Sequence, residues 1–474
     1  MYFSGTLYWI TGVMVRYGDL QTWVAVLVNA ALVAYLALFT GVFAVATRRI
    51  VAVNGRRALI AAPVVWVATE LGRTHLFTGF PWVLLGYSQT TVLPIAQLAS
   101  VFGVYGVSML VAAVSTAVAS CAKTAKEAET AKNAKGFIPL AATIAVVVAI
   151  GAWGARRVGA SEMTRSGDGI RVGLIQGNVS LAERSDAARL PSIFESYIRM
   201  SRQAIAEGAE LVIWPESATP FRFEDDPVAA ARIRALARQA RVPILLGSDQ
   251  MTPAQKGIPT RYFNSAFLVR ADGTTGGAYR KMHLVPFGEY VPAKQIFFFA
   301  APLVEAVSDF SAGDEPTLLP IGRHNVSTAI CYEVVYPDLV RRFVAGGSEL
   351  LTTITNDAWF GETSAPYQHC EQASMRAIEE GRYLVRSANT GISGIVDPYG
   401  RVLEQTAIFQ PAVLVGDARF LQTSTFYARH GDLLAYASVM ATVALLLVSI
   451  RPPSARSGES GDPKRVALHE RRPA

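Results

Sequence analysis

Cysteine is scarce: three residues in a chain of 474, too few for a disulfide scaffold, and no C-x-x-C pair marks structural zinc. The six histidines are scattered and form no H-E-x-x-H, so no metal centre is expected. Charge is also thin. Asp, Glu, Lys and Arg make up 17% of the chain, against about 25% in an ordinary soluble domain. With 51% hydrophobic residues, that composition argues against a disordered tail protein and against an enzyme wholly in water.

What fills the chain instead is long apolar runs. Trp23–Ala46 carries no charge, and a bilayer core needs about 20 such residues. Further candidate spans are 58–76, weakened by Glu70 and Arg73; 92–122, read as a loop entering a long helix; 137–153; and 433–450. The formal charge of +7 could suggest nucleic acid, but its placement excludes it. Thr47–Arg57, Cys121–Gly136 and the tail from Arg451 net +4, +2 and +3, more than the whole excess. These segments alternate with the spans, which by the positive-inside rule makes them cytoplasmic. The stretch between Trp153 and Leu433 then lies outside, with Arg156 and Arg157 as a local exception. The expected organisation is a multi-span helical membrane domain over 1–168, an outer domain over 169–420, a returning helix over 433–450, and a disordered cytoplasmic tail over 451–474.

Between Gly169 and Phe420 short β-rich runs recur: Ile170–Gln176, Leu211–Trp214, Val242–Gly247, Ser265–Val269, Val326–Ile330, Leu350–Thr355 and Gly394–Val396. Helical patterns such as Ala187–Ala206 and Pro227–Ala240 lie between them, which predicts a layered α/β domain. Three reactive side chains follow apolar strands there. Glu216 follows Leu211–Pro215, Lys281 follows Gly277–Arg280, and Cys331 follows Ser327–Ile330. A thiolate can act as nucleophile, a desolvated carboxylate can take its proton, and a lysine can stabilise an oxyanion. Singly, each has a plainer reading: a buried core thiol, a turn residue, a solvated surface charge.

The strings around them change the balance. Trp214-Pro-Glu-Ser217, Arg280-Lys-Met-His-Leu-Val-Pro-Phe-Gly-Glu-Tyr-Val-Pro292 and Ile330-Cys-Tyr-Glu333 resemble the Glu–Lys–Cys strings of the nitrilase (carbon–nitrogen hydrolase) superfamily. Asn356-Asp-Ala-Trp-Phe-Gly361, Gln368–Arg376 and Arg386–Gly391 continue the resemblance. Flanking spans, with Thr78-Gly-Phe-Pro-Trp82 and Gly86-Tyr-Ser-Gln89 after the second, make the sequence most similar to the bacterial apolipoprotein N-acyltransferases. That resemblance implies a nitrilase-like αββα sandwich inserted between transmembrane helices of the bacterial inner membrane and facing the periplasm. It implies Cys331 as nucleophile, Glu216 as general base and Lys281 as oxyanion-stabilising cation, with Glu289 supporting the site. Tyr332 and Glu333, beside the nucleophile, either shape the pocket or serve the framework. The implied reaction is the last step of lipoprotein maturation. An acyl chain passes from a phospholipid, phosphatidylethanolamine, through a cysteine thioester to the α-amino group of a diacylglyceryl-cysteine, with no cofactor. The alternative is a membrane-anchored amidase using the same three residues.

Weaker features remain open. Phe297-Phe-Phe299, within Gln295–Leu303, either meets lipid, covers the acyl chain or packs inward, and Trp359-Phe360 either lines the site's mouth or fills core. His283 and His369 are expected to form hydrogen bonds, and Cys370 could oxidise with Cys331. Members of the family carry more helices ahead of the catalytic domain than the four spans read here, so Tyr2–Val15 is expected to correspond to the end of a third such helix.

Overall fold

The computed structural model describes residues 1–127, 137–254, 259–291 and 310–450. The aromatic run Phe297–Phe299, most of the basic segment 121–136 and the tail 451–474 lie outside them. Among the described residues, four helices are long and apolar enough to cross a membrane: Thr22–Asn54, Ala99–Cys121, Ile138–Arg165 and Leu433–Ile450. Their outer faces present bare apolar side chains such as Leu38, Val148 and Met440, which water would not tolerate as a continuous surface. This is a membrane protein.

The stretch 58–76 is an α-helix only over Ala62–His75, continued backwards by a 3-10 segment Arg56–Ala61. At about 1.5 Å per residue the α-helix alone is shorter than a bilayer core of about 30 Å. Its two charges have a use. Glu70 accepts the Leu85 N–H at 2.7 Å, and Arg73 donates to the Trp82 carbonyl at 3.1 Å, so both tie down the loop that follows. The run 92–122 is a short turn, Leu93–Ala96, then the helix Ala99–Glu127, broken at Gly103 (φ +65°). A Cβ there would sit 2.5 Å from the Tyr427 ring, so the bend requires glycine. The Val104 N–H that the bend leaves over is accepted by Glu379 at 2.7 Å. Arg157 lies against Tyr399 and donates to Gln97 at 3.2 Å. This contact accounts for one basic residue on the side where the charge pattern disfavours it.

The strands are β1 (Gly169–Gln176), β2 (Leu211–Ile213), β3 (Ile244–Thr252), β4 (Arg261–Val269), β5 (Thr275–Arg280), β6 (Leu319–Ile321), β7 (His324–Ile330), β8 (Leu350–Thr355), β9 (Leu384–Ala388), β10 (Gly394–Val396), β11 (Val402–Gln405) and β12 (Ala412–Arg419). They form two six-stranded sheets, ordered β12-β1-β2-β3-β4-β5 and β11-β10-β9-β8-β7-β6. Alternation along β2 explains the layering. Leu211 and Ile213 join the core between the sheets, while Val212 points the other way, toward the helices Leu190–Ala206 and Pro227–Ala240. The second sheet is covered by Pro337–Ala345 and Ala365–Glu380, completing a nitrilase-like αββα sandwich.

Tyr2–Thr6 and Trp9–Tyr17 form two short helices lying on the sandwich. Trp9 packs on Phe360 with centroids 4.9 Å apart, and the Tyr17 hydroxyl donates to the Ala358 carbonyl at 2.9 Å.

Candidate active site

The three sequence-predicted residues each leave the end of a strand. Glu216 follows β2, at a point where β3 comes so close that a Cβ on Gly247 would lie 2.8 Å from the Glu216 Cα. Lys281 follows β5 and is held by its own N–H donating to the Asn264 carbonyl at 2.9 Å. Cys331 is the first residue after β7 and opens the 3-10 turn Cys331–Val335 with φ +53°. A non-glycine residue in this left-handed region costs about 1–2 kcal/mol, and such strain concentrates where a side chain must be aimed.

All three are buried, and two carboxylates flank the lysine. Lys281 Nζ lies 2.8 Å from Glu289 Oε1 and 3.5 Å from Glu216 Oε1. Asn264 Nδ2 bridges the same two oxygens, at 2.7 Å to Glu216 and 3.1 Å to Glu289. The remaining oxygens take backbone donors, the Asn356 N–H on Glu216 and the Val285 N–H on Glu289, both at 2.8 Å. Glu289 therefore supports Lys281 while Glu216 keeps a fixed orientation.

Burial, helped by the charge of Glu216 and opposed by Lys281, pushes the Cys331 thiol well above its ordinary pKa. Burial also pushes the Glu216 carboxyl up; Lys281 opposes this and Glu289 adds to it. For Lys281 burial favours the neutral amine, but Glu289 and Glu216 outweigh it and the ammonium persists. The resting site thus holds a neutral thiol, a carboxyl group displaced toward higher pH and a permanent cation. A thiol so placed reacts only as its proton is removed, and Glu216 is the raised carboxyl whose charge it feels.

Tyr332 and Glu333 do different things. The Tyr332 ring stacks on Trp82, with centroids 6.2 Å apart and planes at 17°, and its hydroxyl accepts from Tyr336 at 3.2 Å. Trp82 comes from the membrane domain and also packs against His369 and Trp9. An aromatic roof that includes Phe360 thus covers the turn at Cys331. Glu333 is fully buried. Its Oε2 accepts the Ile330 N–H at 2.7 Å, and its Oε1 accepts the Tyr279 hydroxyl at 2.7 Å and the N–H groups of Met282 and His283 at 2.6 and 3.0 Å. It staples the cysteine turn to the segment carrying Lys281, a framework role.

Sequence reasoning expected hydrogen bonds of His369 but missed the buried cluster it joins. His369 Nδ1 lies 3.1 Å from both Asp357 Oδ1 and Arg386 Nη2, and its Nε2–H donates to the Cys331 carbonyl at 3.2 Å, since a carbonyl oxygen only accepts. Arg386 also pairs with Asp357 at 2.8 Å. Burial would raise Asp357, but Arg386 and His369 outweigh it and bring its pKa down to about 2. The strained backbone of Cys331 is thereby held from both sides. Asn264 was missed too; its one signal is an amide in the middle of the apolar strand β4. Cys331 and Cys370 are both free thiols.

The Carbon-nitrogen hydrolase family model matches residues 171–423, and the Apolipoprotein N-acyltransferase N-terminal domain model matches residues 1–117. The apolipoprotein N-acyltransferase of Geobacter metallireducens is 40% identical over 453 residues, 95% of this chain and 85% of the relative. That of Methylococcus capsulatus is 33% identical over 90% of this chain and 81% of its own. Among solved structures, an amidase from Nesterenkonia sp. is 24% identical over 56% of this chain and 94% of its own, with a TM-score of 0.40. Both halves of the chain and its relatives agree: it belongs to the apolipoprotein N-acyltransferase family, membrane-bound acyltransferases with a nitrilase-like domain.

Proposed function

We propose that this chain carries an acyl group from the sn-1 ester of a phospholipid, phosphatidylethanolamine, to the α-amino group of a diacylglyceryl-cysteine at a lipoprotein's N-terminus. Glu216 takes the Cys331 proton as sulfur attacks the ester carbonyl. Lys281 stabilises the oxyanion, and collapse expels the lysophospholipid alkoxide, which recovers the proton from Glu216. In the second half the acceptor amine attacks the thioester, giving its proton to Glu216. The sulfur leaves and is reprotonated, so the chain ends unchanged and needs no cofactor. Glu289 holds Lys281, Tyr332 lines the wall, and Glu333 holds the turn.

The observation that carries this reading is the roof. Tyr332, the neighbour of Cys331, stacks on Trp82, which packs on Trp9, and both tryptophans belong to the part matching the N-terminal acyltransferase domain. A soluble amide would need no such cover, whereas a lipid ester must reach the thiol from the membrane side. We assign 1–168 and 433–450 to the inner membrane, 169–420 to the periplasm and the C-terminus to the cytoplasm, on the alternation of basic segments.

The test is incubation of detergent-purified protein with phosphatidylethanolamine labelled in its sn-1 chain, comparing wild type with Cys331→Ser. Hydroxylamine-sensitive label on wild type alone, discharged onto an added diacylglyceryl-cysteine peptide, is the expected result. Label released to water whether or not peptide is present would replace the transferase with an amidase-like hydrolase.

A further inference from the structure

At the opposite ends of the strands from Cys331, the sandwich surface beside the turn Phe426–His430, which leads into the returning helix Leu433–Ile450, holds a recess of about 470 Å³. The recess lies before the first residues of β8 and β9, whereas Cys331 follows the last residue of the parallel neighbour β7. The two sites are therefore roughly 20 Å apart at about 3.3 Å per residue. Its lining brings together three guanidinium groups, Arg341, Arg382 and Arg429.

Two carboxylates bear on these groups: Glu349 in the lining, and Glu380, fully buried and within electrostatic reach of Arg382 and Arg341. Glu349, the carboxylate in the lining, accepts from Gln422 at 3.4 Å and pairs with His324 at 2.7 Å. Arg382 is buried and fixed by donating to the carbonyls of Ser348 (2.9 Å), Gly381 (3.2 Å) and Thr423. Arg429 is anchored through Nη2 to the Ser424 carbonyl at 3.0 Å and through Nε to the Thr425 carbonyl at 3.4 Å, which leaves Nη1 without a hydrogen bond among the described residues. Arg341 makes no hydrogen bond or ion pair among the described residues, and packs over Gly431, whose φ of +64° ends the turn Phe426–His430. Fixed and uncommitted guanidinium groups around one recess suit a phosphate, which accepts several such donors at once.

The surroundings argue for the phosphate of a lipid. Leu433, the first residue of the membrane helix, and Tyr436 are exposed, as is Phe426 on the turn before it. Val344 and Ala428 complete the lining with apolar surface. A cationic recess at the head of an exposed apolar and aromatic strip matches the headgroup level of a bilayer. We propose that this recess is a second lipid site, which grips the phosphodiester of a membrane phospholipid and seats the sandwich on the bilayer, separately from the acyl donor at Cys331.

The experiment uses the full chain in neutral detergent, with apparent Tm read against dihexanoyl-phosphatidylglycerol, held below its micellar concentration, and against inorganic phosphate. The variant is the double substitution Arg341→Gln, Arg429→Gln; neither residue touches the catalytic cluster, so thioester formation at Cys331 serves as its folding control. The short-chain lipid is expected to raise the Tm of wild type, with at least tenfold weaker apparent affinity in the variant and little effect of phosphate. An equal rise with inorganic phosphate would make this a free-anion site and overturn the lipid assignment. An unchanged affinity in the variant, or no rise in wild type, would overturn the site itself. Loss of label at Cys331 in the earlier test would remove that folding control but not the lipid-dependent rise in wild type, so the two readings fail separately.

Discussion

Glu333→Gln isolates the staple between the cysteine turn and the lysine segment. The two side chains are nearly isosteric, so packing is preserved, but the amide offers one accepting end instead of two. The cheaper orientation points its oxygen at the Oε1 position, keeping the Tyr279, Met282 and His283 donors, and turns its NH₂ against the Ile330 N–H. One buried backbone donor is then unsatisfied and faces another donor, at a cost of about 1–3 kcal/mol. For a domain of this size that corresponds to roughly 2–4 °C of Tm per kcal/mol. The damaged bond belongs to the residue just before Cys331, so catalysis should suffer as well. If half of that energy holds the strained turn in attacking geometry, thioester formation slows by roughly 3–10-fold, at about 1.4 kcal/mol per factor of ten. Apparent Tm in detergent and the single-turnover rate of labelled-acyl capture measure the two effects. A Glu333→Gln protein with wild-type Tm and wild-type capture rate would refute the staple.

Three further outcomes follow from the same geometry. Cys331→Ala and Cys331→Gly should both fail to capture acyl chain, yet the glycine protein should be the more stable by about 1 kcal/mol, because it alone adopts the left-handed backbone without strain; equal Tm values would argue that the turn is relaxed. His369→Leu removes the donor to the Cys331 carbonyl and should slow acyl capture by about 10–100-fold at unchanged KM, while His369→Gln, with a side-chain N–H, restores part of it; equal rates for the two variants would reduce His369 to packing. Asp357 titrates near 2 in the folded chain against 3.8 ordinarily, so its contribution of about 2 kcal/mol is complete above pH 3.8 and is lost as pH falls through 2. Asp357→Asn should therefore flatten the Tm profile between pH 4 and 2, and an unchanged slope would contradict the pairing with Arg386.

Much of the site could be read before folding because its residues end strands with strong apolar patterns. Leu211–Ile213 and His324–Ile330 announce themselves, and the reactive residues follow them. Thr275–Arg280 carries two glycines and no alternation; its end, Gly277–Arg280, could be read as leading to Lys281, and pairing with β4 makes the whole run a strand. Leu384–Ala388 is absent from the strands read in the sequence, although Arg386–Gly391 is one of the family strings; Arg386 interrupts its apolar pattern and is buried against Asp357. The roof was the least legible feature. Trp82 sits in a recognisable loop motif, but its meeting with Tyr332 and His369 depends on how the membrane helices seat the sandwich, which no local pattern encodes.

On the proposed reaction, that roof bears on why the thioester outlives its formation. A carbon–nitrogen hydrolase with Glu, Lys and Cys hands its acyl group to water, and nothing in those three residues prefers an amine. The preference must come from what reaches the sulfur. Here the thiol is buried, its neutral form is favoured by that burial, and the neighbouring Tyr332 stacks on an apolar cluster of Trp82, Trp9 and Phe360. Water admitted to such a space loses hydrogen bonds, whereas an acceptor anchored by its own lipid chains arrives already dehydrated on the apolar side. Trp82→Ala should on this account leave acyl capture largely intact but raise hydrolysis of the captured label in the absence of peptide, by about 10-fold if the roof contributes about 1.4 kcal/mol to the exclusion of water. A variant that captures and retains label as well as wild type would show that the acceptor, and not the cover, decides the fate of the thioester.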